Sequence, residues 1–372
     1  MRCFARIVAE IMNYRRWLAG ILALAVVSGV AAASKKKKKN EEEITQTLPL
    51  LQDPPATVTA DVERLAFRVA PLSAKGLLSQ QVRDGLKALM RDSRGNIVKV
   101  RAFVAGTGDM RRVQTIVSEM FGEKRLPLPA LSTIQGGALP GEGVQVALES
   151  IESAKKPVNP NGLAFLSGQP ADTIEKSLER LNTALRGLSI PSQKMLAVTC
   201  FVSVLEDVTK MRGTVAAAFP AAAVNYVQMQ RLPVRTAVEC EGVAALENPV
   251  AGERVKLANP EGLEASPNYS QAVLIGPGRV VISGTQMGFG TQDADVRLAF
   301  ERLGKSLEAA QVGFKNVVFT HVYPVSEAAS ERFRALRFNY LDKSHPPAST
   351  LLPFEGLPSL DASFGMDVIA VK

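Results

Sequence analysis

The sequence predicts an α+β chain of three tandem units, each a small sheet with two helices on one face. Three observations carry that expectation. A strand–helix element of 25 residues occurs three times, as Ile97–Phe121, Met195–Phe219 and Val317–Leu341. Each copy opens with a β-branched and aromatic run and continues, after a short turn, with apolar residues at helical spacing. An amphipathic helix precedes each copy. A proline-bearing turn, an apolar strand, a Leu-Pro break and a closing strand follow it.

The N-terminus has its own pattern. Met1–Arg16 holds four arginines and one glutamate, and the uncharged run Trp17–Val30 leads to Ala31-Ala32-Ala33. Residues 1–33 therefore read as a secretory signal, since the apolar run is short of the roughly 20 residues that a full span takes. Lys35–Lys39 follows at once and would resist translocation, so a retained membrane anchor is the alternative. Cytoplasmic residence with a start at Met12 is the third reading. The expected address is periplasmic or secreted, or tethered to a membrane through this segment. Residues 34–60, with Glu41–Glu43 and Pro54-Pro55, are expected to be a charged disordered linker.

The units follow as residues 61–152, 160–246 and 256–372. Their first helices show one-sided stripes: Leu78, Val82, Leu86 and Leu89; Ile174, Leu178, Leu181, Leu185 and Leu188; Val296, Phe300, Leu303, Leu307 and Ala310. Units two and three open on strands that end in Ser-Gly, Leu163–Gly168 and Val280–Gly284. The Leu-Pro breaks are Leu139-Pro140, Leu232-Pro233 and Leu357-Pro358, ahead of closing strands Val144–Ile151, Ala237–Ala244 and Phe364–Val371. Polar, proline-bearing linkers fall at Ser153–Asn161 and Glu247–Ala258.

Composition excludes several function classes. With 46% hydrophobic and 22% charged residues, the chain has ample core for a globular fold. Much of the net charge of +8 lies near the N-terminus, and no aromatics interleave with basic clusters, so no nucleic acid is expected as partner. Three cysteines and two histidines, without ligand spacing, give no metal site. His321, inside an apolar strand, reads as structural. No cofactor is implied.

Residues 268–371 resemble the RidA/YjgF family of reactive-intermediate deaminases, also known as the L-PSP endoribonuclease family. The resemblance rests on Asn268-Tyr269-Ser270-Gln271, Val280–Gln286, the helix Asp293–Val312, the strand Val317–Tyr323, Pro347-Ala348, Leu357-Pro358 and the closing Met366–Val371. It extends to unit two through Ser167-Gly168-Gln169 and Val238–Glu241, and to unit one through its helices and Pro129-Ala130. The resemblance implies a chorismate-mutase-like fold in each unit and, for three copies, a monomeric pseudotrimer with a pocket at each interface. A small-molecule ligand in those inter-repeat clefts is the expected partner.

Family members hydrolyse enamines and imines derived from amino acids, such as 2-iminobutanoate and 2-iminopropanoate. The family's carboxylate-binding arginine follows Pro-Ala in the turn. Here Leu131 and Ser349 stand there in units one and three, and no arginine occurs between Pro220 and Gln230. Arg231 and Arg235 flank a Leu-Pro turn and read as solvated. The family's acid/base glutamate is matched by Glu239 in unit two, with Ala147 and Gly365 at that position elsewhere. Tyr269 matches the pocket tyrosine, and Ser167 and Ser283, each followed by glycine (Gly168, Gly284), match a pocket serine. The same four Ser-Gly residues also have a purely structural reading as strand bends.

The resemblance places Cys200 and Cys240 on neighbouring strands, with buried free thiols expected and a bridge as the alternative after export. The leading functional expectation is a degenerate member that binds a ligand or partner without the usual deamination. An enamine/imine hydrolase using the Glu239 pocket on a substrate lacking a carboxylate is the alternative. An open pocket where Glu239, Tyr269 and a Ser-Gly strand converge would favour the enzyme. RNA cleavage ranks last.

Overall fold

The protein's structure, a computed structural model, describes residues 51–372 apart from 107, 206 and 232–236. The signal or anchor at 1–33, most of the linker, Leu232-Pro233 and Arg235 lie outside the described residues. Among those described, no helix is long and apolar enough to cross a membrane.

In chain order the elements are β1 (Thr57–Asp61), β2 (Leu65–Val69), α1 (Leu78–Asp92), β3 (Gly95–Ala105), α2 (Arg111–Glu123), β4 (Ala130–Gly136) and β5 (Val146–Ala154). Next come β6 (Leu163–Ala171), α3 (Ile174–Gly187), β7 (Met195–Val202), α4 (Val208–Ala218), β8 (Ala223–Gln228) and β9 (Val238–Ala245). The remainder is β10 (Val255–Ala258), β11 (Ala272–Ile275), β12 (Arg279–Ser283), β13 (Gln286–Phe289), α5 (Asp293–Ala309), β14 (Val317–Pro324), α6 (Glu327–Leu336), β15 (Ala348–Leu351) and β16 (Ala362–Val371).

These strands form three sheets, ordered β2-β5-β3-β4, β10-β11-β6-β9-β7-β8, and β1-β12-β16-β14-β15 with β13 also on β16. One pairing rule holds in all of them. The strand after the first helix (β3, β7, β14) runs parallel to the strand after the second (β4, β8, β15). It runs antiparallel to the closing strand (β5, β9, β16). Each of these middle strands also slips register near its start, at Ile97/Lys99, Met195/Ala197 and Val317/Phe319.

The helical stripes are buried as their spacing predicts except at Leu188 and Ala310, which are partly buried just past their helices, with Val82, Leu86, Leu181, Leu303 and Leu307 fully enclosed. Truncating any one of these leucines to alanine would cost about 2–5 kcal/mol. Thr173 and Ser326 cap α3 and α6, their hydroxyls accepting from the N–H groups of Lys176 and Ala329. The inner faces of the sheets meet one another. On β14, Phe319, His321 and Tyr323 alternate onto that face: Phe319 joins an apolar layer with Val98 and Phe165, and Tyr323 joins another with Phe103, Phe201 and Phe354. A charged layer lies between the two.

Three sequence expectations need correction. Thr57–Asp61 is not linker: its Thr/Val alternation suits a strand, and it pairs with β12 from Thr57↔Ser283 to Asp61↔Arg279. The boundary of the third unit also shifts. Val255–Ala258 and Ala272–Ile275 extend the second sheet through β6, so the third unit's own strands in the third sheet begin at β12. The Gly276-Pro277-Gly278 turn permits this crossing, with Gly278 at φ +125, a conformation that side chains resist. Finally, Cys200 and Cys240 are not free thiols. They face each other across β7 and β9 with Cα atoms 4.1 Å apart and form a disulfide.

Candidate functional site

Strand pairing fixes which positions correspond between sheets. Ala130, Ala223 and Ala348 open β4, β8 and β15, so Leu131, Val224 and Ser349 share one place, and none is arginine. Ala147, Glu239 and Gly365 likewise share one place, opposite Phe103, Phe201 and Tyr323.

One contact between sheets is an open cleft of about 490 Å³, between the second and the third. Gly168 and Pro170 of β6 and Glu239 of β9 form one wall, and Asn268 and Tyr269 enter from the loop before β11. Ser349 and Leu351 of β15 form the other wall, with Arg334 of α6 and Arg337 just past it. Glycine at 168 has a local cause: a Cβ there would run into the Glu239 carboxyl.

Glu239 is 8% exposed. Burial and the neighbouring Glu241 carboxylate push its pKa up to about 8, against the opposing pull of Arg334. It is therefore largely an uncharged acid at neutral pH. Burial and Glu239 also raise the Tyr269 phenol. Arg337 is 2% exposed, and neither its Nε nor its Nη2 finds a hydrogen-bond partner among the described residues. Its guanidinium lies over the rings of Phe333 and Phe338, 5.5 and 5.4 Å from their centroids. Burial, then Arg334, lowers its pKa to about 10, which leaves it charged at pH 7.

The sequence-predicted residues separate. Glu239, Gly168 and Tyr269 line the cleft together. Ser167 sits behind it, fully buried, where its Oγ accepts from Ser349 N at 2.8 Å and donates to Ser270 O at 2.7 Å, joining two sheets. Ser283 and Gly284 belong to the contact between the third and first sheets. There Thr285 N donates to Leu131 O and a Cβ on Gly284 would come within 2.8 Å of Leu131 O, while Ser283 Oγ accepts from Val368 N inside the third sheet. Arg231 is exposed, its N–H donating to Glu355 Oε1 and its Nη2 to Gly137 O.

The contact between the first and second sheets is a groove of about 720 Å³ along β2 and β8. Counting from the Leu-Ala-Phe that β2 shares with β6, Val69-Ala70 replaces Ser167-Gly168 there.

Two features escaped the sequence reading. Arg334 and Arg337 bring guanidinium groups to the cleft from a helix, whereas only the turn was expected to supply one. The other is the charged layer. Arg101 Nε donates to Glu149 Oε2 at 2.6 Å and its Nη2 to Glu241 Oε1 at 2.8 Å. His321 Nδ1 lies 3.0 Å from Asp367 Oδ1 and its Nε2 3.1 Å from Glu241 Oε1. Lys99 Nζ lies 3.4 Å from Asp367 Oδ2. Burial alone would lower the imidazole pKa, but Glu241 and Asp367 override it and raise the value. Glu241 is held down at about 2 by His321 and Arg101 against burial, and Asp367 lower still by Lys99 and His321. A cavity of about 80 Å³ with mostly apolar walls borders this network. The available signal was positional: Arg101, Thr199 and His321 occupy one place on their strands, facing Glu149, Glu241 and Asp367.

Residues 260–372 match the family model described as Endoribonuclease L-PSP. Among solved structures, the chain is similar to a YjgF/YER057c/UK114 family member from Mycobacterium tuberculosis, at 23% identity and TM-score 0.24 over 28% of this chain and 86% of that one. It is also similar to a Rid-family protein of unknown function from Yersinia pestis (18%, TM-score 0.29, 32% and 100%) and to yeast Mmf1 (20%, 0.24, 32% and 98%). No curated protein matches the chain.

Proposed function

We propose that the chain is a pseudotrimer of three RidA-like repeats in which one interface cleft, around Glu239, hydrolyses a small imine or enamine bearing a carboxylate. The observation that carries this reading is the convergence of Glu239, Tyr269, Arg334 and Arg337 on one open cleft. A guanidinium matches a carboxylate better than any other side chain, and both Arg334 and Arg337 line the cleft. The substrate lacking a carboxylate, expected from the turns, gives way to an acid anchored from α6.

In this scheme the guanidinium groups hold the substrate carboxylate, and neutral Glu239 gives its proton to the imine nitrogen. Water adds to the carbon and loses a proton to the Glu239 carboxylate. The carbinolamine then breaks its C–N bond, releasing ammonia and a 2-oxo acid. The remaining interfaces serve as scaffold. A buried disulfide suits an oxidising compartment, which favours export.

The test is ammonia release from 2-iminobutanoate generated in situ, with full-length protein. Acceleration that falls at least a hundredfold in Glu239→Gln, and declines as pH rises through about 8, is the expected result. No acceleration over buffer would overturn hydrolysis. Binding of the 2-oxo acid without turnover would instead support the degenerate, ligand-binding reading.

A further inference from the structure

We propose that the outer edge of β2 docks an extended, acid-flanked segment of a partner protein, which adds to the first sheet as an antiparallel strand. The sister sheets provide the precedent. β6 lies between β9 and β11, and β12 lies between β16 and β1. β2 occupies the same place in the first sheet and pairs with β5 on one side, but among the described residues no strand covers its other side. Both sister edges carry short antiparallel strands rich in aliphatic or β-branched residues, Ala272–Ile275 and Thr57–Asp61.

The uncovered edge has the groups to pair. Ala70 N donates to Leu148 O of β5, so with a strand period of two Phe67 and Val69 turn their N–H and C=O groups the other way. The 720 Å³ groove runs beside them, with apolar walls that include Leu72, Leu89, Leu196 and Val224. Natural edges are usually blunted by proline, a bulge or an outward charge. β2 has no proline or register shift, and its one charge, Arg68, is tied to buried Glu152 at 3.0 Å.

The rim indicates the partner's chemistry. Exposed Arg94 and Arg212 line the groove opposite a single acid, Asp92, whose carboxylate is already engaged by Arg91. A cationic rim beside an open edge favours a β-branched segment with acidic residues at its end.

The experiment uses full-length protein and a fluorescein-labelled peptide of alternating Val and Thr with an N-terminal Glu pair, read by anisotropy. Saturable binding is expected, weakened at least about tenfold by N-methylation at one set of alternate amides and less than about twofold at the other set. Arg212→Glu should weaken it several-fold, and a Lys-flanked peptide should bind more weakly. Equal sensitivity of both amide sets, or no saturation with either flank, would overturn the proposal. So would concentration-dependent dimerisation that the peptide competes away, which would make a second copy the occupant.

Discussion

Glu239 is buried at a cost to stability. Its native pKa of about 8 lies above the ordinary carboxyl value of 4.5, so the unfolded chain gives up this proton first as pH rises. The native state therefore loses stability between about pH 4.5 and 8, by on the order of 2–3 kcal/mol at neutrality. Glu239→Gln should abolish turnover and raise the melting temperature at pH 7, with the gain vanishing near pH 4; a lower melting temperature at pH 7 would contradict this. Glu241 behaves oppositely. Its pKa, depressed to about 2, gives stability that is present above the ordinary carboxyl range and is lost as pH falls through the depressed value. Glu241→Gln would leave Arg101 and His321 short of a counter-charge and should cost about 3–5 kcal/mol at pH 7 by urea denaturation. His321, whose pKa is raised, adds stability below the ordinary imidazole value that is lost as pH rises through its own.

At the scale of elements, the strand carrying Gly168 separates folding from function. The three atoms nearest a Cβ at 168 all belong to the Glu239 side chain, so Gly168→Ala should displace the carboxyl and depress the rate while costing less than about 1 kcal/mol. A large loss of stability by calorimetry would show that the glycine serves the strand instead. The Cys200–Cys240 bridge closes a separation of 40 residues, and its removal should cost about 2–4 kcal/mol, read as a lower urea midpoint under reducing conditions.

What the sequence made legible was periodic. The stripes of α1, α3 and α5 and the repeated strand–helix element follow from local spacing and composition, whereas Glu239 stands out only through the family resemblance. What it hid was decided by long-range pairing. Val255–Ala258 looks like linker until β11 supplies partners for its backbone, and Thr57–Asp61 is a strand because β12 needs an edge covered. Arg337, just past a short helix, looks solvated, and only the packing of Phe333 and Phe338 beneath it reveals a buried guanidinium. The charges of β3 and β5 likewise break two apolar strands until three sheets bring them together.

For the whole molecule, three contacts between sheets follow one pairing scheme and differ in content. One is joined by a backbone hydrogen bond from Thr285 to Leu131, one is a groove without an acid at the Glu239 position, and one combines an uncharged acid with buried guanidinium. With all three sheets on one chain, each contact is encoded separately and can diverge by itself. Calorimetric titration of the full-length protein with 2-oxobutanoate at pH 7 tests this most directly. One site per chain is predicted, lost in Arg337→Ala and retained in Leu131→Ala. Three equivalent sites, no binding, or binding indifferent to Arg337→Ala would contradict it.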